Sequence, residues 1–486
     1  KSVTASMLCA YYSKDCDSAP LFDSLKIARV ASYKEHLNQY HTIFINMTDA
    51  FNSAGKKVPA MISSLSAKIA HELKGLSPRL DFSFQDNLME YLQSTYAETS
   101  IPFVIVIDEW DCIMREQSED EEGIRQYLEW LKLILKDKSY VALAYMTGIL
   151  PIKKYGSHSA LNMFDEYSMT EPGEFAEYIG FTEEEVEELC ASHGVDFATM
   201  QRWYDGYSFE DCPHLYNPNS VVRAIQRNKF RSYWTQTETF ESLRKYIDLN
   251  LEGLRDEVIR LVAGEEVVVN TATFHNDMTT FEGKDDVLSL LIHLGYLALV
   301  PESTSFGVDN DTIFAVKIPN FEINKEFRNI LQHNSHYQGV YALIQKTDEL
   351  LEHILAGDNE AVAEFFNLAH QDHTSILKYN DENSLSCVVA LSLLLTTTDT
   401  YTVYREQPSG KGYADLIYLP RPGVQKPALL IELKYNESAR SALAQIKEQN
   451  YPRGLKDYQG ELILVGLNYS PKTKEHRCLI ERLHKD

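Results

Sequence analysis

GYADLIYLPRPGVQKPALLIELKY (412–435) is the stretch on which the fold of the carboxyl-terminal end turns. Two apolar runs flank a segment holding Pro420, Pro422, Gly423 and Pro427, so the pattern predicts two antiparallel strands joined by a turn. Asp415 opens the first run, and Glu432 and Lys434 interrupt the second. Antiparallel pairing sets Asp415 across from Glu432, and the two-residue period of a strand points Glu432 and Lys434 to one face. An ExK tripeptide alone is what the wet face of any hairpin offers. Here the flanks are apolar on both sides, and an unpaired carboxylate in a buried sheet is costly. Two carboxylates and an amine that meet in such a place form a donor set for Mg²⁺ or Mn²⁺, with Asp415 and Glu432 as ligands. Lys434 then positions or deprotonates a water and offsets charge developing on phosphorus. The reaction class these residues fit is phosphodiester hydrolysis.

Working outward, TYTVYREQ (400–407) predicts a strand before the pair, SARSALAQIKEQNYP (438–452) a helix after it, and ELILVGLNY (461–469) a further strand. Gln445 lies on that helix and joins the candidate catalytic set. The apolar SLSCVVALSLLL (384–395) predicts a helix opened by Glu382, a candidate third metal ligand, for which Glu406 is a possible substitute. With two leading helices, YQGVYALIQKTDELLEHILAG (337–357) and NEAVAEFFNLAH (359–370), residues 337–486 form a small α/β domain.

The amino-terminal third alternates helix and strand. SVTASMLCAYY predicts a helix, HTIFINM (41–47) a strand, VPAMISSLSAKIAHELKGL a helix, IPFVIVIDEWD (101–111) a strand, EEGIRQYLEWLKLILKD (121–137) a helix and SYVALAYMTGIL (139–150) a strand. Strands separated by helices of this length mean βαβ units and a parallel sheet over residues 1–165. Lys1-Ser2 at a helix start is what the end of a GxxxxGK[ST] phosphate loop looks like, its glycines lying before Lys1. In such a loop the Lys neutralises phosphates and the Ser ligates Mg²⁺. Asp108 and Glu109 at a strand end suit a water-held Mg²⁺ and the orientation of an attacking water, and Thr147 ends the next strand as a polar group near the terminal phosphate. Residues 166–336 read as an α-rich connector of short acidic helices, such as TEEEVEELCASHG, and aromatic loops, WYDGYSF (203–209) and LYNPNSVVRAI (215–225).

The 486 residues carry 46 Lys and Arg against 71 Asp and Glu, a net charge of −25, which excludes a protein that coats itself in nucleic acid. From Asp381 onward there are 14 basic against 13 acidic residues, leaving 32 against 58 upstream, so the acidity lies outside the last hundred residues, where Arg405, Lys411, Arg440, Lys447, Arg453 and Lys456 are candidates for contacts to a phosphate backbone. Seven scattered cysteines with no CxxC pair predict a reduced, cytoplasmic setting. No apolar run approaches the roughly 20 residues of a membrane span, and KSVTASMLCAYY has no plan of a signal peptide.

Asp415…Glu432-x-Lys434 with Gln445 on the next helix resembles the PD-(D/E)XK nuclease superfamily. The whole chain is similar to the bacterial family that joins an AAA-ATPase-like domain to a carboxyl-terminal PD-(D/E)XK nuclease domain, through KSVTASMLCAYY, IVIDEWD, TGI with LNMF, WYDGYSF, LYNPNSV, RSYWTQT, GKGYADLIYLP, IELKY and ALAQIKEQNYP. Ala414 stands where that family's Pro precedes the first acid. The resemblance implies a P-loop parallel-sheet domain, an α-rich middle and a restriction-endonuclease-like α/β domain. It implies Lys1, Ser2, Asp108, Glu109 and Thr147 at ATP, and Asp415, Glu432 and Lys434 as the nuclease core, acting on nucleic acid, DNA foremost. An oligomer is compatible with it. The alternative is an ATP-switched regulatory or binding protein whose nuclease fold is catalytically silent.

Overall fold

The computed structural model describes residues 1–76, 87–151, 161–234, 239–274, 281–301, 312–373, 382–405, 415–448, 458 and 460–483. The chain divides into two compact units, Lys1–Phe181 with Asn270–Leu297, and Thr182–Val269 with Ala298–Asp486, so the stretch 166–336 is shared between them. Among the described residues no helix is long and apolar enough to cross a membrane.

In the first unit, β1 (His41–Asn46), β2 (Phe103–Asp108) and β3 (Val141–Met146) form a parallel sheet in that order. All six residues of β2 are buried, as an apolar run in the middle of a parallel sheet requires. Phe103, Ile105 and Ile107 pack with Met61 and Leu73, Leu92, and Leu128 and Leu131. These come from α2 (Val58–Leu76), α3 (Leu88–Thr99) and α4 (Glu121–Leu135). Val104 and Val106 face the other way and pack with Ala5 of α1 (Ser2–Tyr12). Alternation continues one step to put Asp108 on the α1 side, where Lys1 caps that helix. The helix at 88–99 is not among the elements the sequence pattern predicts; Asn87 caps it through the Glu90 amide at 3.4 Å.

The second unit begins with α5 (Glu183–His193), whose run of acids is a helix opened by a capping box between Thr182 and Glu185. α6 (Phe197–Tyr204) leads into a hairpin of Tyr207–Phe209 and Cys212–Tyr216. Gly206 between them has φ +131°, and a Cβ there would lie 1.9 Å from the Pro319 carbonyl oxygen, so WYDGYSF requires its glycine. The Asn217 side chain then caps α7 (Pro218–Arg227) through the amides of Asn219 and Ser220. Further on come α8 (Phe321–His333) and α9 (Asn359–His373).

The carboxyl-terminal sheet has five strands, β4 (Tyr401–Arg405), β5 (Leu416–Pro420), β6 (Ala428–Tyr435), β7 (Leu462–Ser470) and β8 (Glu475–Leu483), side by side in chain order. β4, β5 and β6 are antiparallel neighbours, β6 and β7 are parallel, and β8 returns antiparallel. The β6–β7 crossover is made by α11 (Ala439–Glu448), which buries Leu443 and Ile446 against Ala428, Leu430, Leu462 and Leu464. α10 (Glu382–Ser392) precedes the sheet. β8 is the element the sequence pattern passes over, because its EHRCLIERL alternates charges like a surface segment. Asn359 and Asn367 of α9 accept hydrogen bonds from the edge amides of Ile480, at 2.8 Å, and His476, at 2.7 Å. Eight helical residues rise about 12 Å and four strand residues span about 13 Å, so the two asparagines fall in step with the edge and cover it.

Candidate functional site

Arg421-Pro422-Gly423-Val424 forms the β5–β6 turn, with the Val424 amide donating to Arg421 O at 3.0 Å and Gly423 at φ +84°. This fixes the register Leu416↔Ile431 and Tyr418↔Leu429, which continues to set Asp415 opposite Glu432. Ala428, Leu430, Glu432 and Lys434 share one strand face. The first two lie under α11, and the charged pair begins where that apolar cover stops.

Asp415 Oδ2 accepts the Leu433 amide at 2.7 Å. Lys434 Nζ donates to Glu432 Oε1 at 3.1 Å and lies 3.8 Å from Glu382 Oε1, and Glu382 also accepts the Tyr435 amide at 3.4 Å. Glu432 is 1% exposed, and its Oε2 is buried with no hydrogen-bond partner. Burial first and the nearby Asp415 charge second push its carboxyl up to about 7, against the pull of Lys434. Burial also raises Asp415, partly offset by the Leu433 amide. For Lys434 burial works against the ammonium, but Glu432, Glu382 and Asp415 outweigh it and hold its pKa above the ordinary value. The structure thus gathers Asp415, Glu432, Lys434 and Glu382. Gln445 is half-buried on α11, and no hydrogen bond among the described residues joins it to them.

The orphaned Glu432 oxygen and a second carboxylate across the strand pair suit a hard cation, which satisfies both through oxygen. Among the described residues no group of three or more His, Cys, Asp or Glu is assembled as a complete cage. The expected third ligand, Glu382, faces the lysine amine instead, so an ion here would rest on Asp415 and Glu432. Arg405, a sequence candidate for phosphate contact, is spent internally on Ala263 O at 2.8 Å, Glu265 at 3.0 Å and Ser386 at 2.8 Å. Lys447 pairs with Glu481 at 2.5 Å, while Arg440 is exposed. Glu406, Lys411, Arg453 and Lys456 lie outside the described residues.

A second cluster sits at the carboxyl end of β2. Thr147 Oγ1 donates to Asp108 Oδ1 at 2.7 Å, both residues being buried. Lys1 Nζ donates to Gly148 O. Burial lowers the Lys1 ammonium, with Asp111 and Glu109 pulling the other way. Glu109 turns out of the strand at φ +55° and pairs with Arg115, and burial raises its carboxyl above the ordinary range. Ser2 is exposed at the helix start. Asp111 and Arg115 escape the sequence reading. Asp111 Oδ2 accepts the amides of Ile149 at 3.0 Å and Leu150 at 2.8 Å and lies 3.2 Å from Arg115 Nε. The signal that finds it is the third acid of DEWD, three residues after Asp108.

Residues 1–157 match the family described as a predicted AAA-ATPase, and residues 380–477 match the PD-(D/E)XK nuclease superfamily. The two matches give, in order, the architecture that the sequence resembles. No curated protein matches the chain. Among solved structures it is similar to the Aeropyrum pernix ORC1 protein in complex with DNA, at 14% identity and a TM-score of 0.21 over 59% of this chain and 77% of that one. A likeness at that score carries no argument.

Proposed function

We propose that the chain is a nuclease that hydrolyses phosphodiester bonds of nucleic acid, foremost DNA, at Asp415, Glu432 and Lys434, and that an ATP-binding AAA-like P-loop domain governs it. The observation that carries the reading is the buried Glu432, which keeps one oxygen unpartnered beside Asp415 and Lys434. In this reading residues 337–486 are the nuclease module, of restriction-endonuclease-like fold, residues 1–165 the ATPase-like module and residues 166–336 the connector. Asp415 and Glu432 would hold Mg²⁺ or Mn²⁺, which when bound supplies Lewis-acid stabilisation of the charge on phosphorus and activates water. Asp415 is aimed by the Leu433 amide, so strand pairing itself sets the distance between the two acids. Lys434, held between Glu432 and Glu382, offers its ammonium to the scissile phosphate and keeps the paired acids from repelling a polyanion. Gln445 stands ready on the adjoining helix to orient the water.

Lys1, Ser2, Asp108, Glu109 and Thr147 form the ATP site in this reading. Asp108 is held by Thr147 on the neighbouring strand, and Glu109 is held by Arg115, so release of that ion pair frees Glu109 to orient water. The free thiols of all seven cysteines suit a cytoplasmic protein. The deciding experiment incubates the full chain with duplex and single-stranded DNA and RNA, with and without Mg²⁺. Asp415→Ala is expected to abolish metal-dependent cleavage while leaving thermal unfolding within a few degrees. Cleavage that survives this substitution overturns the assignment.

A further inference from the structure

The acidic excess of residues 1–380 has a local exception. Residues 212–237 contain no Asp or Glu, and they carry Arg223, Arg227, Lys229 and Arg231 within nine positions. In a chain with 71 acids to 46 bases, several arginines are neutralised by neighbours: Arg125 has Glu122 and Glu129, Arg260 has Glu257 and Glu265, and Arg482 has Glu461. Arg227, Lys229 and Arg231 are exposed, and none of the three forms an ion pair among the described residues. They sit at the end of α7 and on the loop after it.

That loop is rigidly held. Glu322 of α8, 1% exposed, accepts the amides of Tyr233 at 2.5 Å and Trp234 at 3.1 Å with one oxygen and the Ser220 hydroxyl at 2.7 Å with the other. Tyr204 bonds the backbone of Arg231 in both directions, donating to its carbonyl at 2.9 Å and accepting its amide at 3.2 Å. Tyr233 in turn donates its hydroxyl to Lys229 O at 2.8 Å. Both arginines lie against the Tyr233 ring, Arg227 with Cζ at 5.7 Å and Arg231 at 5.1 Å from its centroid. Two guanidinium charges are therefore kept within about 11 Å, roughly one Debye length at 0.1 M salt, and neither is in an ion pair among the described residues. Cations fixed together and left unneutralised in an acidic protein are complementary to a polyanion, and guanidinium groups held on an aromatic face spend little entropy in meeting phosphate.

We infer that Arg227, Lys229 and Arg231 form a docking surface for the phosphate backbone of a nucleic acid, away in sequence from the carboxylate cluster of Asp415 and Glu432. The inference deepens the nuclease reading and rests on it for the identity of the polyanion. It gives the connector a part in substrate binding, because the site that cuts is near neutral and a basic island of the acidic region supplies the grip.

The test is fluorescence anisotropy of a labelled mixed-sequence DNA duplex of about 30 base pairs with the full chain in EDTA, over a series of salt concentrations. Arg227→Gln/Lys229→Gln/Arg231→Gln is expected to weaken binding at least tenfold at about 50 mM salt, and to lower the slope of log affinity against log salt by about 2–3, since each phosphate contact on a duplex contributes about 0.9. Arg125→Gln, which removes a surface charge paired with Glu122 and Glu129, stays within twofold. Should the triple variant fail to fold, exposed Lys229→Gln alone is read, with an expected loss of slope of about 1. The inference is overturned by variants that bind with wild-type affinity and slope, or by a wild-type chain that ignores DNA at low salt, which would turn attention to an acidic protein partner. A wild-type chain that binds in this way but cleaves nothing in Mg²⁺ defeats the nuclease reading and leaves the docking surface in place.

Discussion

The ends of β2 and β6 hold the same ingredients, buried acids with a lysine beside them, and use them differently. At β2 protein groups hold the acids: Asp108 takes the Thr147 hydroxyl, Glu109 pairs with Arg115, and Asp111 Oδ2 binds two backbone amides and lies beside Arg115, while its Oδ1 stays buried without a hydrogen bond. At β6 Glu432 takes a hydrogen bond from Lys434 and keeps a bare second oxygen, and burial pushes its carboxyl up to about 7. The first arrangement has the Arg115 guanidinium set against both Glu109 and Asp111 to supply positive charge. The second stores an unmet demand for positive charge, which is why it points to a cation. Buried carboxylates are therefore not one kind of feature, and their partners decide the reading.

The largest test of that contrast is Glu432→Ala, assayed in Mg²⁺ without nucleotide. Cleavage should fall by about 10³-fold, the several kcal/mol expected when a metal ligand is lost, while Asp108→Asn leaves the nucleotide-free rate within a few fold. Equal losses in the two variants would mean that both clusters serve one reaction, and the contrast would break. Next in size is Lys434→Met, which strands Glu432 in its buried place. Chemical denaturation at pH 8 in EDTA should show a loss of about 3 kcal/mol, shrinking at pH 5 where Glu432 is protonated. No change at pH 8 would show that the lysine does not hold the acid.

Glu432 also predicts a pH dependence in the metal-free chain. Its folded pKa of about 7 lies above the ordinary value near 4.3, so between these the folded state binds more protons than the unfolded one. Stability should be greatest below about pH 4.5 as far as this group is concerned, and fall by about 3–4 kcal/mol as pH rises through 7. Glu432→Gln should flatten that part of the profile, and a profile unchanged by the substitution would refute the shift. The smallest effect belongs to β2, where Thr147→Val removes one hydrogen bond from Asp108 and should reduce stability by about 1 kcal/mol, readable by urea unfolding.

Much of this was legible in the chain. Apolar runs of fixed length and period named β1, β2 and β3 and the helices α2 and α4, though not α3, and the Pro-Gly turn with its charged flanks named the β5–β6 pair. Segments that carry surface-like charge were not legible in the same way. β8 reads as polar because it is a sheet edge, and only the asparagines of α9 reveal what its amides bind. Arg405 reads as a free cation in TYTVYREQ, yet it is consumed by Glu265, Ser386 and Ala263, residues far away in sequence. The basic run after Val222 was likewise hidden in a regional sum of charge, since a sum over 380 residues averages away three side chains.

The sequence by itself determined periodicity, turn chemistry and the identity of the acids, because these depend on near neighbours along the chain. It settled that Asp415 and Glu432 share a strand pair and that Glu432 and Lys434 share a face. Tertiary structure alone decided which charges are neutralised and which remain. It satisfied Asp108 and occupied Arg405, it left one oxygen of Glu432 bare, and it set the loop cations Arg227, Lys229 and Arg231 where no acid among the described residues pairs with them. The reason is physical: propensity acts over a few residues, whereas desolvation and pairing depend on whatever the fold brings within a few ångströms, from any distance along the chain.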